Sequence, residues 1–455
     1  MDINTAPLHF VTPAPPLVAD ELAHIGAGLR FAENPTDYLK ELRARYGDTF
    51  LVDIFGYKLF CLFSPKGLES LYSLPEEQAS FGLATFDLLS FKTPLQVFLD
   101  TDLNLFYQLL AKKRLPHYLA ETNRVLAQAL DSWEGELEIF DAIRTLEQRI
   151  GFGLWICPQA AEPPLWQNLK QHFDVLDQEK AFVDPSQTLR TLKNNKREEQ
   201  AAIEAIQNLL EALSQKVDTR SPEISTLAYL HSHFADFDPA ERRRRVAHNT
   251  ININQGFLSN LYAAIAWVLV RVLQDDSIKQ RMLAEFQEAE QRFGADWRHS
   301  LDALDSLTFM EQMLMESVRL AQRSITLRKV LSPCEIHTEN GTFTANPGVY
   351  ITTLLSVGNT RSEELERFDP DHYRGNRLKP ELVAEGPEQV STFGHGRHAC
   401  PAQRFSHMMC KAVLAAIFER FEPGLISAEV APSSRQMGGV ARSALPARVR
   451  MKARS

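Results

Sequence analysis

With 455 residues and 44% apolar composition the chain can bury a large core, and no Gly/Ser-rich linker, low-complexity tract or internal repeat divides it. Its net charge of −9 argues against a nucleic-acid partner. Five cysteines, at positions 61, 157, 334, 400 and 410, form no spaced framework, and the N-terminus has neither a basic start nor an apolar core. These features predict a soluble protein of a reducing cytoplasm, with no transmembrane anchor.

Residues 1–20 are punctuated by Pro7, Pro13, Pro15 and Pro16 and read as an extended surface segment ahead of one large domain over 21–455. Asn34-Pro35 opens a helix carrying Tyr38, Leu39, Leu42 and Tyr46 and closed by Gly47. Residues 49–54 and 57–63 alternate around Phe55-Gly56 as a hairpin, and a short helix follows over 65–74. The stretch 75–101, with Phe81, Phe86, Phe91 and Phe98, reads as an irregular loop closing over a pocket. Residues 102–114 are predicted helical, ending in Lys112-Lys113-Arg114, which is either a solvated charge run or part of a cationic docking face. Core helices are expected within 118–156, and two more over 165–183 and 189–217, joined at Asp184-Pro185.

The longest helix spans 240–273. Its most apolar part, 261–273, is too short to cross a bilayer and contains Arg271. Glycine inside a helix costs about 1 kcal/mol relative to alanine, so Gly256 implies close approach of a flat ligand or of another helix. Residues 309–322 form an amphipathic helix with Glu316 and Arg319 on one face, and two short strands are expected near 336–351. The segment Phe393-Gly394-His395-Gly396-Arg397-His398-Ala399-Cys400-Pro401-Ala402 reads as a glycine-loosened loop delivering one cysteine to a helix over 403–418, with Pro401 at its first position. A helix N-terminus with Arg397 and His398 beside it favours a thiolate, and a thiolate can ligate iron. Two other readings stay open on these residues: Cys400 as a small buried apolar side chain, or zinc held by His395, His398, Cys400, His407 and Cys410. After that helix, 421–450 reads as short strands and turns, with Met437-Gly438-Gly439-Val440 a hairpin tip.

The cysteine loop resembles that of the cytochrome P450 haem-thiolate enzymes, Phe-x-x-Gly-x-(Arg/His)-x-Cys-x-Gly, with Phe393, Gly396, His398 and Cys400 in place and Ala402 where the family has glycine. The resemblance runs from about Asn34 to the C-terminus and implies a mainly α fold with small β-sheets, the cytochrome P450 fold in a single large domain. It implies haem b as cofactor, with Cys400 the axial ligand and Phe393, Gly394 and Gly396 shaping the loop. Arg328 and His398 take the places that bind haem propionates; Glu316, Arg319 and His372 take those of the family's core staple. The Trp-x-x-x-Arg pattern common in the helix at 102–114 is absent. The two helices at 165–183 and 189–217 match the family's movable lid.

The long helix of the family usually reads Ala-Gly-x-(Asp/Glu)-Thr, an acid and an alcohol relaying protons toward dioxygen. Here Gly256-Phe257-Leu258-Ser259-Asn260 stands instead, which makes Gly256, Ser259 and Asn260 the candidate catalytic positions. Asparagine there, and the absence of Pro-Pro between Arg319 and Arg328, are similar to the bile-acid hydroxylase and prostacyclin synthase branches. Phe257, Ile325, Thr326 and Leu327 are the expected substrate-pocket residues.

The resemblance implies a soluble, bacterial monooxygenase acting on a lipophilic small molecule (a sterol, fatty acid or terpenoid) with O2 and a ferredoxin- or flavodoxin-type electron donor. An electron-independent isomerase, dehydratase or peroxygenase using a lipid hydroperoxide is the alternative, motivated by Asn260. A haem-binding sensor or carrier without turnover is a third.

Overall fold

The hairpin shows how local chemistry sets the fold. Thr49–Ile54 pairs antiparallel with Tyr57–Leu62, and both turn residues, Phe55 (φ 51°) and Gly56 (φ 88°), lie in the left-handed region that a tight two-residue turn demands. Asp53 accepts the Gly56 N–H at 2.7 Å and closes the turn. The computed structural model describes residues 10–19, 22, 25–177, 190–216 and 225–454, apart from the side chains of Leu103 and His398. They gather into two compact units: up to 89 with 318–400 and 433–441, and 90–317 with 401–432 and the C-terminal stretch from 442.

The first unit is built on a five-stranded sheet in which the hairpin is extended by Val349–Leu354, then Ile325–Val330, then Ala79–Ser80. Among the named strands of this sheet the pairing of Tyr57–Leu62 with Val349–Leu354 is parallel and the other three are antiparallel. A three-stranded sheet of Val11–Thr12, Gly341–Ala345 and Cys334–Thr338 lies in the same unit, so 334–354 holds three strands where two were expected. The predicted first helix is Pro35–Tyr46, with Asn34 accepting the Asp37 N–H and Gly47 (φ 86°) ending it. The loop expected over 75–101 is instead partly helical, at Phe81–Leu89 and Leu95–Leu99. Local caps explain the first of these: Glu76 accepts the Phe81 and Gly82 N–H groups at 3.0 and 2.9 Å, and Ser80 accepts that of Leu83 at 2.9 Å.

In the second unit the long helix is Pro239–Gln274, with Asp238 accepting the Ala240 and Glu241 N–H groups. By length and composition it could cross a membrane, yet 61% of its apolar window is buried inside the protein. Ile139–Trp155 packs along it, and the Phe140 and Trp267 rings meet at 5.2 Å. The helix expected over 102–114 stops at Leu109; Lys112–Arg114 is a single 3-10 turn, and a new helix, Leu115–Ala129, begins with Pro116 in its first turn. The helix expected over 165–183 ends at Val175, and Asp184-Pro185 lies outside the described residues. Residues 190–193 are helical, and left-handed Asn195 and Lys196 (φ 50° and 56°) separate them from the helix Arg197–Ser214.

The helix after the cysteine loop, Gln403–Arg420, opens later than expected. Its first bond runs from the Ser406 N–H to the Ala402 carbonyl, so Ala402 is the cap and Pro401 precedes it. Lys411, 2% exposed, donates to the Leu304 carbonyl at 2.8 Å and to Glu311 at 2.9 Å, and His407 Nδ1 stands 3.6 Å from Glu311. Burial raises the Glu311 carboxyl, but the His407 bond and the Lys411 charge outweigh it and bring the group down to about 2.

Candidate haem-thiolate site

The cysteine loop holds its shape through its own backbone. Gly394 and Gly396 have φ of 78° and 57°, which side chains resist, and the Cys400 N–H reaches back to the Phe393 carbonyl at 2.6 Å. Ser391 Oγ accepts the Gly394 N–H at 3.1 Å, and the His395 ring is fixed by the Val390 carbonyl at 3.1 Å and an edge contact with Tyr72. Cys61, Cys157, Cys334 and Cys410 are buried, and Cys400 is the partly exposed member of the five. This separates it from the buried-apolar reading. The zinc reading finds no support among the described residues: the group of His, Cys, Asp and Glu with ligand atoms close enough, within 4.8 Å, is Glu364, Asp369 and His372.

Arg328, fully buried on the strand Ile325–Val330, is the most telling polar group of the first unit. Its Nε approaches the Leu71 carbonyl at 3.4 Å, its guanidinium lies 5.5 Å from the Phe81 ring centre, and Glu76 is 4.0 Å away. Nη1 and Nη2 make no hydrogen bond among the described residues. Burial lowers the pKa of this cation, and two unmet N–H-bearing nitrogens in such a place ask for an anionic ligand. Strand alternation puts Thr326 on the same face as Arg328 and turns Ile325 and Leu327 to the other, where both pack on the core with Phe63 and Leu354. The three expected pocket residues on this strand therefore do not share a surface.

Arg319 and Glu316 are both fully buried on the helix Thr308–Ala321. Arg319 donates to the carbonyls of Asn359, Leu365 and Arg367, so its charge organises the backbone of 359–367. His372, 3% exposed, has Nε2 3.2 Å from Glu364. Asn359 completes this framework by donating to the Arg319 and Ser391 carbonyls and accepting the Ser391 N–H at 2.8 Å. No spacing in the sequence pointed to Asn359. The tip Gly438-Gly439 zips onto Arg323 through two backbone bonds of 2.9 and 2.8 Å.

In the second unit the long helix is buried on both sides of a short window in which Gly256, Ser259 and Asn260 are exposed. Among the described residues a methyl group added at Gly256 would meet only Phe106, at an ordinary 3.7 Å, so packing of the described helices does not require this glycine. Ser259 Oγ donates to the Gly256 carbonyl at 3.2 Å and stands 3.0 Å from Asn260 Nδ2. Phe257, expected at the pocket, has its ring 5.7 Å from those of both Trp155 and Phe405. Packing against the long helix does require Gly151, where an added methyl would fall 2.9 Å from Phe257.

The Cytochrome P450 family model matches residues 159–451, which include the cysteine loop, Arg328, the Glu-x-x-Arg helix and the window of the long helix. The chain belongs to the cytochrome P450 family. A mouse protein named 24-hydroxycholesterol 7-alpha-hydroxylase is 21% identical over 97% of this P450 and 93% of its own length, and the human protein of that name is 20% identical over 90% and 88%. The retinoic acid-bound cyanobacterial CYP120A1 structure superposes with a TM-score of 0.73 at 16% identity, covering 97% of this chain and 99% of that one. The fold is thus the mainly helical P450 fold with small sheets, the enzyme is a haem-thiolate monooxygenase, and its cofactor is haem b. Within the first unit the residues fit that group: Arg328 offers two donors for a carboxylate that meet no hydrogen-bond partner among the described residues, and Cys400 is a partly exposed sulfur on a stiff loop.

Proposed function

We propose that this P450, with 21–455 acting as one haem-thiolate domain, inserts one oxygen atom from O2 into a sterol-like lipophilic molecule. Electrons come from a separate ferredoxin- or flavodoxin-type donor in the cytoplasm. The observation that carries the reading is the near full-length likeness to the oxysterol hydroxylases. Bound haem supplies the reductive activation of O2. In this reading Cys400 provides its axial sulfur, Arg328 pairs with a propionate, and Phe393, Gly394 and Gly396 hold the loop that presents the sulfur. His398 stands at the second propionate position by resemblance. Glu316, Arg319 and His372 keep the surrounding backbone in place. Gly256 gives room on the long helix, and Asn260, with Ser259 behind it, orients water at the exposed window. Thr326, on the face of Arg328, meets the substrate, and the exposed Lys112 and Lys113 offer positive charge to an acidic donor.

One observation favours the second reading, isomerisation or dehydration of a lipid hydroperoxide without electrons: Ser259 and Asn260 bring no carboxylic acid to the window, and the Ser259 hydroxyl is already donated to the Gly256 carbonyl. Titration of the purified haem protein with sterols, fatty acids, terpenoids and lipid hydroperoxides, without reductant, separates the two. A high-spin shift of the Soret band with sterols supports the proposal; rapid hydroperoxide consumption with no sterol response overturns it in favour of the second. Cys400→Ser serves as control and loses the thiolate-type Soret band of the reduced carbon monoxide complex.

A further inference from the structure

A buried acid stands against the covered side of the long helix. Glu147, on Ile139–Trp155, is 0% exposed, and neither carboxyl oxygen has a hydrogen-bond partner among the described residues. Its surroundings are fixed by neighbours on the same helical face. Phe140, seven residues before, touches Trp267 with ring centres 5.2 Å apart, and Gly151, four residues after, abuts Phe257. Glu147 therefore faces the long helix between Phe257 and Trp267. Positions 257, 260, 264 and 267 form one stripe there, and of these Asn260 opens onto the exposed window while Ala264 and Trp267 are buried. The third wall is the helix Gln403–Arg420, whose Cys410 thiol is pushed up mainly by burial, with Glu147 adding to the effect.

An unpartnered carboxylate in such a place is strongly disfavoured, so the group rests as the neutral acid. Burial pushes its pKa up to about 8. On the monooxygenase reading, on which this inference rests, protons must reach the window of the long helix, and Ser259 and Asn260 supply none of their own.

We propose that Glu147 stores the proton that this stripe lacks. The carboxyl O–H bond breaks, the proton passes to the Asn260 window, and the carboxylate left behind takes one proton back from solvent hydronium, so that one proton enters for each one delivered. Glu147 touches neither substrate nor cofactor; it acts through the stripe.

Infrared spectroscopy of the whole haem protein tests this without substrate or electrons. At neutral pH the wild type shows a protonated carboxyl C=O band that Glu147→Gln removes and Glu147→Asp keeps at a shifted position. In D2O the band exchanges rapidly, and Asn260→Val slows that exchange about tenfold, leaving local opening as the remaining route. Asn260→Asp, which keeps a polar group at the window, restores the rate. Absence of the band in the wild type, or wild-type exchange in Asn260→Val, overturns the proposal. Failure of the function reading shows separately, in the Soret titration.

Discussion

Replacing Glu311 by glutamine isolates the buried ion group beneath the cysteine-loop helix. Glu311 is held down from 4.5 to about 2 by His407 and Lys411 against the opposing effect of burial, a displacement worth roughly 3 kcal/mol. Because the folded pKa is depressed, this stability is present in full above the unfolded value of 4.5 and is lost as pH falls through about 2. Glu311→Gln removes it and leaves Lys411, 2% exposed, with the Leu304 carbonyl as its remaining partner in this group. Breaking a buried pair on one side costs about 3–5 kcal/mol. Urea unfolding at neutral pH is expected to show a loss in that range, and the gap between wild type and variant should narrow steadily as the solution is acidified. A gap under about 1 kcal/mol at neutral pH, or one that does not shrink in acid, refutes the assignment of the stability to this charge.

Arg328→Met keeps the bulk of a buried side chain and removes its two unpartnered nitrogens. Haem transfer to a high-affinity acceptor protein should accelerate about tenfold, the scale of one charge-assisted hydrogen-bonded pair, and an unchanged rate removes Arg328 from haem binding. Asn260→Ala is expected to alter product ratio and the coupling of electrons to product more than haem content; equal coupling and products take Asn260 out of the mechanism.

Elements whose signals are local were legible in the sequence. Asn34, Pro35 and Gly47 bracket a helix by capping chemistry, and Phe55-Gly56 sets a hairpin by backbone conformation. The mid-helix glycine at 256 likewise pointed to a position that packing does not demand. What escaped depends on partners distant in the chain. Phe257 looks the same in sequence whether it lines a pocket or fills an aromatic cluster with Trp155 and Phe405, and only the folded arrangement decides. The helix at Phe81–Leu89 hid because, although Ser80 caps Leu83 at the ordinary spacing, its other cap, Glu76, lies five and six residues ahead of the N–H groups it accepts. Glu147 was invisible for a further reason: a glutamate on an amphipathic helix reads as solvated until every neighbouring face is known.

The parallel pairing of Tyr57–Leu62 with Val349–Leu354 has a consequence for synthesis. At ribosomal speed the early hairpin waits roughly fifteen seconds to a minute for its sheet neighbour to emerge. The clasp that Gly438 and Gly439 place on Arg323 arrives later still. Through that interval the strand edge is an open template for pairing with another chain, so the vulnerable species in the life of this enzyme is a nascent one. Its yield in a cell depends on what covers that edge while most of the chain is still being made.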